Sequence, residues 1–120
     1  MKYVILIYSN PKSRELWERF TDAERAEGWN EYGALNEDLA ASGELIVSEA
    51  LADPSLARRV SVREGQAMST DGPFAEVKEQ LAGFFLLECE SALEIAARVP
   101  EAELGLVEVR PVLDIGGLEM

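Results

Sequence analysis

Apolar residues run unbroken from Tyr3 to Tyr8. A short run with no polar alternation marks a strand covered on both faces, so Lys2–Tyr8 is predicted as a central strand. Ser9-Asn10-Pro11 ends it, and Arg14–Phe20 is read as a short helical turn. Thr21-Asp22-Ala23-Glu24 has capping-box spacing, with Thr21 as the N-cap and Glu24 reaching back. The main helix then runs to about Ser42, where Gly43 supplies a left-handed stop. Its apolar stripe is Trp29, Tyr32, Leu35 and Leu39, opposite Glu27, Glu31, Glu37 and Asp38. Glu44–Ala50 is the second strand and Asp53-Pro54-Ser55 a loop. In Ala57–Arg63, Val60 and Val62 alternate with Arg59, Ser61 and Arg63, and Glu64-Gly65 turns the chain into Gln66–Thr70.

Asp71-Gly72-Pro73-Phe74 is a strong turn signal. Ala82–Glu90 is again nearly all apolar. Ser91 opens a second helix whose stripe is Leu93, Ala96, Ala97 and Val99, and Pro100 stops it. Gly105–Val112 closes the chain, with Val107, Val109 and Val112 toward the core. The order is β-α-β, an inserted hairpin, then β-α-β. This is the pattern of an α+β, ferredoxin-like sandwich: an antiparallel sheet with two helices on one face. The whole chain, 1–120, is read as one domain. Lys2–Tyr8 and Ala82–Glu90 are apolar on both sides, yet two helices shield only one face. A second copy packed sheet against sheet covers the other, so a homodimer is expected.

Composition narrows the chemistry. Eleven Lys+Arg against 23 Asp+Glu give a formal net charge of -12, which disfavours nucleic acid and anionic membrane as partners. There is no His, which removes His-based catalysis and His metal sites. One Cys allows neither an internal disulfide nor a CxxC pair, and Cys89 sits in an apolar strand as a buried, inert thiol. No Asp-x-Asp-x-Asp-Gly loop is present, so no metal site is read. No phosphate loop appears, and no cofactor is expected. The opening apolar run is too short for a signal-peptide core or a membrane span, and the expected location is the cytoplasm.

The most informative stretch is Thr70-Asp71-Gly72-Pro73-Phe74-Ala75-Glu76-Val77-Lys78-Glu79-Gln80-Leu81-Ala82-Gly83-Phe84-Phe85. It resembles the signature of the DGPF-domain branch of the YCII-related proteins. Met1-Lys2-Tyr3 with Tyr8, Ser42-Gly43-Glu44-Leu45 and Val107-Glu108-Val109-Arg110-Pro111 extend the resemblance over most of the chain. It implies a ferredoxin-like fold of the dimeric α/β-barrel type. The wider family implies a His–Asp pair beside the first helix, and a few relatives act on small chlorinated aromatics. Counting back from Gly43, Tyr32 falls near the position of that His, and Val99 near that of the Asp. Without a His the pair cannot exist here, and that chemistry is not carried over. DGPF proteins are also commonly encoded beside extracytoplasmic-function sigma factors.

Two readings of the DGPF segment stay open. Gly72 can take a positive φ before Pro73, whose own φ is locked, so the turn holds one sharp shape. That shape can present Asp71 to a cleft as base or anchor, with Lys78 as counter-charge and Gly72, Pro73 and Phe74 lining it. Alternatively Asp71 bonds its own backbone and Phe74 plugs the core. Trp29 and Tyr32 are candidate walls of an aromatic pocket, or core packing. Glu49, near the end of the second strand, is within reach of Lys78 or Arg110, or is an edge residue. Arg58, Arg59 and Arg63 form the basic cluster, able to grip an anion or to offset nearby acids. Two functions follow. The first is binding of, or action on, a small polar organic molecule in a cleft beside the DGPF turn. The second is a non-catalytic dimeric accessory or regulatory module tied to sigma-factor systems.

Overall fold

The computed structural model describes residues 1–74 and 77–114. Ala75 and Glu76 of the DGPF segment lie outside the described residues. Among the described residues six strands and three helices follow in the order β1 Lys2–Ser9, α1 Pro11–Arg19, α2 Asp22–Ser42, β2 Leu45–Ala50, β3 Arg58–Arg63, β4 Gln66–Asp71, β5 Gln80–Glu88, α3 Ala92–Ala96 and β6 Val107–Pro111. Short 3-10 turns occupy Pro54–Leu56 and Pro100–Leu104.

Four strands form one antiparallel sheet in the order β2-β5-β1-β6. The two apolar strands, β1 and β5, therefore lie in the middle, as their unbroken apolar runs require. The architecture is α+β and consistent with the ferredoxin-like pattern. Ile5 and Ile7 of β1 and Phe85 and Leu87 of β5 point to the helical side, where they bury with Leu35 and Leu39 of α2. Thr21 and Glu24 close the predicted capping box, and Gly43 ends α2 in the left-handed region.

Several expectations are corrected. The described residues contain three helices, not two. The stretch read as a short turn at Arg14–Phe20 is the nine-residue α1, starting at Pro11. Its start lies in a second capping box, in which Asn10 and Ser13 exchange side-chain and backbone bonds; Pro11 at the first helical position needs no donor. The stripe of α3 is displaced by one residue. Ala92, Ile95, Ala96 and Val99 are buried, a helical i, i+3, i+4, i+7 face, whereas Leu93 is 76% exposed and Ala97 also faces solvent. Trp29 is exposed rather than core-facing.

The inserted hairpin is present as expected, turned at Glu64-Gly65. Among the described residues β3 and β4 pair with each other alone, in a separate two-stranded sheet. Val60 and Val62, the apolar half of the alternation that marks the strand, are 70% and 69% exposed. Alternation identified the strand correctly but could not say whether anything lies opposite its apolar face.

The main sheet has a second face, on which no helix packs among the described residues. Val4 and Leu6 of β1 stand beside Phe84 and Leu86 of β5 and Val47 of β2 on the side away from the core. No helix among the described residues is long and apolar enough to cross a membrane.

Candidate functional site

An open cleft of about 1040 Å³ lies between α1, α2, the end of β2, the start of β5 and the turn at Pro100–Leu104. Local structure explains each wall. The Asn10 cap starts α1, and α1 brings Trp17 against Gly28 of α2, where an added Cβ would make an ordinary contact with the ring at 3.6 Å. Trp17 and Trp29 then meet edge to face at 5.8 Å and 85°. Trp29 continues to Tyr32 at 6.1 Å, and Tyr32 stacks on buried Phe85 at 6.5 Å and 9°. The aromatic series runs from solvent down to the sheet.

At its inner end the Tyr32 hydroxyl donates a hydrogen bond to the Glu101 carboxylate, across 69 positions of sequence. Both groups are part-buried. Burial raises the pKa of Tyr32 well above its ordinary value, and the bond to Glu101 and that carboxylate's charge add to it. Burial also raises Glu101; the same hydrogen bond pulls the other way and does not cancel it. The hydrogen bond thus favours neutral phenol beside ionised carboxylate. Nearby, the Ser48 hydroxyl and Asn36 Oδ1 bond to each other between β2 and α2. Arg14 reaches Ser9 Oγ at 3.4 Å.

The ionisation of Tyr32 sets a pH limit. Its folded pKa is raised, so its contribution to stability is full below the unfolded value of 10.0 and is lost as pH climbs toward the higher folded value. Alkaline denaturation followed by circular dichroism is expected to show this loss. Tyr32→Phe, with no phenol to ionise, should lose less stability over the same rise in pH. Equal slopes for the two proteins would contradict the burial argument.

The structure brings together only part of the expected site. Tyr32, Trp29 and Glu49 line the cleft. Asp71, Gly72, Pro73, Phe74 and Lys78 are not among its lining residues. Asp71 ends β4 with its side chain 91% exposed, paired to Arg58 Nε at 3.4 Å. Gly72 has φ 83° and donates its N–H to Ala57 O at 2.7 Å, which ties the turn to the base of the hairpin. A side chain there would be strained, as expected. Phe74 does not plug the core: it is exposed, and the Arg59 guanidinium stands 5.2 Å from its ring centre. Lys78 is exposed.

Sequence reasoning missed Glu101, Trp17, Arg14, Asn36 and Ser48. Trp17 was accessible through the Asn10-x-x-Ser13 cap, which predicts a full helix and hence its facing. Glu101 had no local signal, because only the sheet topology carries the turn after Pro100 to α2. Val99, the position matched to the family's acid, is buried in the core instead.

Comparison with known proteins follows the same outline. The model of the YCII-related domain matches residues 1–116. The chain belongs to the YCII-related family. An uncharacterised protein of Rhizobium meliloti (strain 1021) is 32% identical over 117 residues, covering 93% of this chain and 92% of its own length. In this YCII-related chain, the phenol–carboxylate pair is the chemically distinctive feature of the cleft. Cys89 is not a competing candidate: it is buried, and burial with the neighbouring Glu44 charge pushes its thiol up and away from the reactive thiolate.

Proposed function

We propose that this YCII-related protein binds, or acts on, a small organic molecule held in the cleft between α1, α2 and the sheet. The observation that carries the reading is the part-buried Tyr32–Glu101 pair at the inner end of an aromatic-walled cavity. Apolar walls with a few convergent polar groups and shifted pKa values are the usual marks of a ligand site. Tyr32 supplies a hydroxyl, and Glu101 a carboxylate whose raised pKa makes it a stronger proton acceptor than an exposed one. The pair stands near the place where the family resemblance puts a His–Asp pair. Asp71 and Lys78 are left out of this proposal, because neither reaches the cleft wall. The intact Asp71-Gly72-Pro73-Phe74 motif further supports placing the chain in the DGPF branch of the family.

A thermal-shift screen of a metabolite library tests this directly. Compounds that raise the melting temperature of the wild type should lose most of their effect with Trp29→Ala and Tyr32→Phe, and keep it with Asp71→Asn. Hits abolished by Asp71→Asn alone would move the site to the DGPF turn.

A second reading, a homodimer, rests on the second sheet face, that of Val4, Leu6, Phe84, Leu86 and Val47. A contiguous apolar face on the central strands is stabilised by a second copy of itself about a two-fold axis. Light scattering after size exclusion should give the mass of two chains for the wild type, and of one chain for Leu86→Glu. A wild-type monomer at micromolar concentration contradicts it. The same surface is what an accessory module would use.

A further inference from the structure

The cleft is strongly one-sided in charge. Eight carboxylates line it, including Glu31, Glu49, Glu101 and Glu103, against a single guanidinium, Arg14. Ion pairs seen among the described residues lie elsewhere: Arg19 with Glu15, Arg25 with Asp22, Arg58 with Asp71, Arg98 with Asp38, and the N-terminus with Glu88. Among the described residues, none of the eight lining carboxylates is in an ion pair. A concave surface with low-dielectric walls focuses such a field and concentrates counter-ions of the opposite sign.

The walls point the same way. Trp17, Trp29 and Tyr32 present aromatic rings, whose negative faces attract cations. One ring already holds a cation: the Arg25 guanidinium lies 5.9 Å from the centre of Trp17, fixed there by bonds to the carbonyls of Trp17 and Glu18. Trp29 has no such cover and is exposed. An anionic ligand would meet eight carboxylates; a neutral one would leave their charge unanswered.

We infer that the cleft selects an organic cation: an ammonium or amidinium group attached to an apolar or aromatic body. The body lies against Trp29 and Tyr32, and the charged head faces the Glu101 carboxylate. This rests on the reading of the cleft as the ligand site, and names the class of molecule it takes.

Three probes of similar shape separate the alternatives: 2-phenylethylammonium, 2-phenylethanol and phenylacetate. The only two tryptophans of the chain, Trp17 and Trp29, are in the cleft wall, so intrinsic fluorescence reports binding. The cation is expected to bind roughly tenfold more tightly than the alcohol. Phenylacetate should bind least, and only the cation's affinity should fall as salt rises. Glu101→Gln keeps an acceptor for the Tyr32 hydroxyl while removing charge. It should cut the preference for the cation and leave the alcohol unchanged. Should that variant fail to fold, Glu103→Gln, exposed on the same Pro100–Leu104 turn, and the salt dependence of the wild type carry the test. An alcohol or anion bound as tightly as the cation overturns the inference and leaves the cleft as a ligand site. Silence from all three probes also overturns it; the broader reading falls only if the metabolite screen finds nothing either.

Discussion

Leu87→Ala is expected to cost about 2–5 kcal/mol, the range for emptying a fully packed leucine site. Leu87 is 0% exposed on β5, opposite Tyr3 of β1 and Leu45 of β2, and it belongs to the core cluster that includes Ile5, Leu35 and Leu39. The strand it sits on joins β2 to β1, so few neighbours can collapse into the space. Domains of this kind are stable by only about 5–15 kcal/mol. The loss should appear in urea as a lower midpoint with an unchanged slope. Leu93→Ala serves as the control. That leucine lies outside the buried face of α3, and its loss should stay within about 0.5 kcal/mol. A large cost at Leu93 would mean that the apolar stripe of α3 runs where its spacing from Ser91 first suggests.

Gly83→Ala carries the second large effect, and it bears on the cleft as well as on stability. Gly83 is buried on β5, between Ile7 of β1 and Ala50 of β2. A Cβ placed there would lie 2.9 Å from the carbonyl oxygen of Glu49 and 3.5 Å from Cα of Ala50. The obstacle is backbone, which has no rotamer to escape into. Accommodating it means prying the end of β2 from β5, at roughly 1–3 kcal/mol. Both Gly83 and Glu49 line the cleft, so the wall that opens is a wall of the site. Thermal denaturation should show the loss, and Ala50 amides should exchange faster. A wild-type melting temperature would show that β2 yields there at no cost.

Gly83 also shows why the DGPF segment is informative in a way its letters do not suggest. Gly72 and Pro73 shape a turn that the structure ties to the hairpin, away from the cleft. The nearer functional residue of the segment is Gly83, whose role is to let two strands approach. A turn signature read alone drew attention to Asp71, whose side chain is 91% exposed beside Arg58. Local rigidity is legible in a sequence, but the direction in which a rigid turn points depends on what it is attached to.

The candidate site divides along the same line. Trp29, Tyr32 and Glu49 were each legible: two by helical spacing, one by its place near the end of a strand. Their partners were not. Glu101 meets Tyr32 only because β6 returns beside β1 and carries the preceding turn against α2. Trp17 meets Trp29 only because α1 is a full helix that brings its ring against Gly28.

By itself the sequence determined the periodic elements: the unbroken apolar runs of β1 and β5, the capped α2 with its Leu35 and Leu39 stripe, and the acidic balance. These follow from local stereochemistry and from burial summed along one element, which need no knowledge of distant residues. Tertiary structure alone decided that the hairpin stands apart with Val60 and Val62 in solvent. It alone decided that Phe74 stays outside the core, and that a phenol and a carboxylate 69 residues apart share a hydrogen bond. Those outcomes turn on which surfaces meet in space, and that is set by the packing of the whole chain.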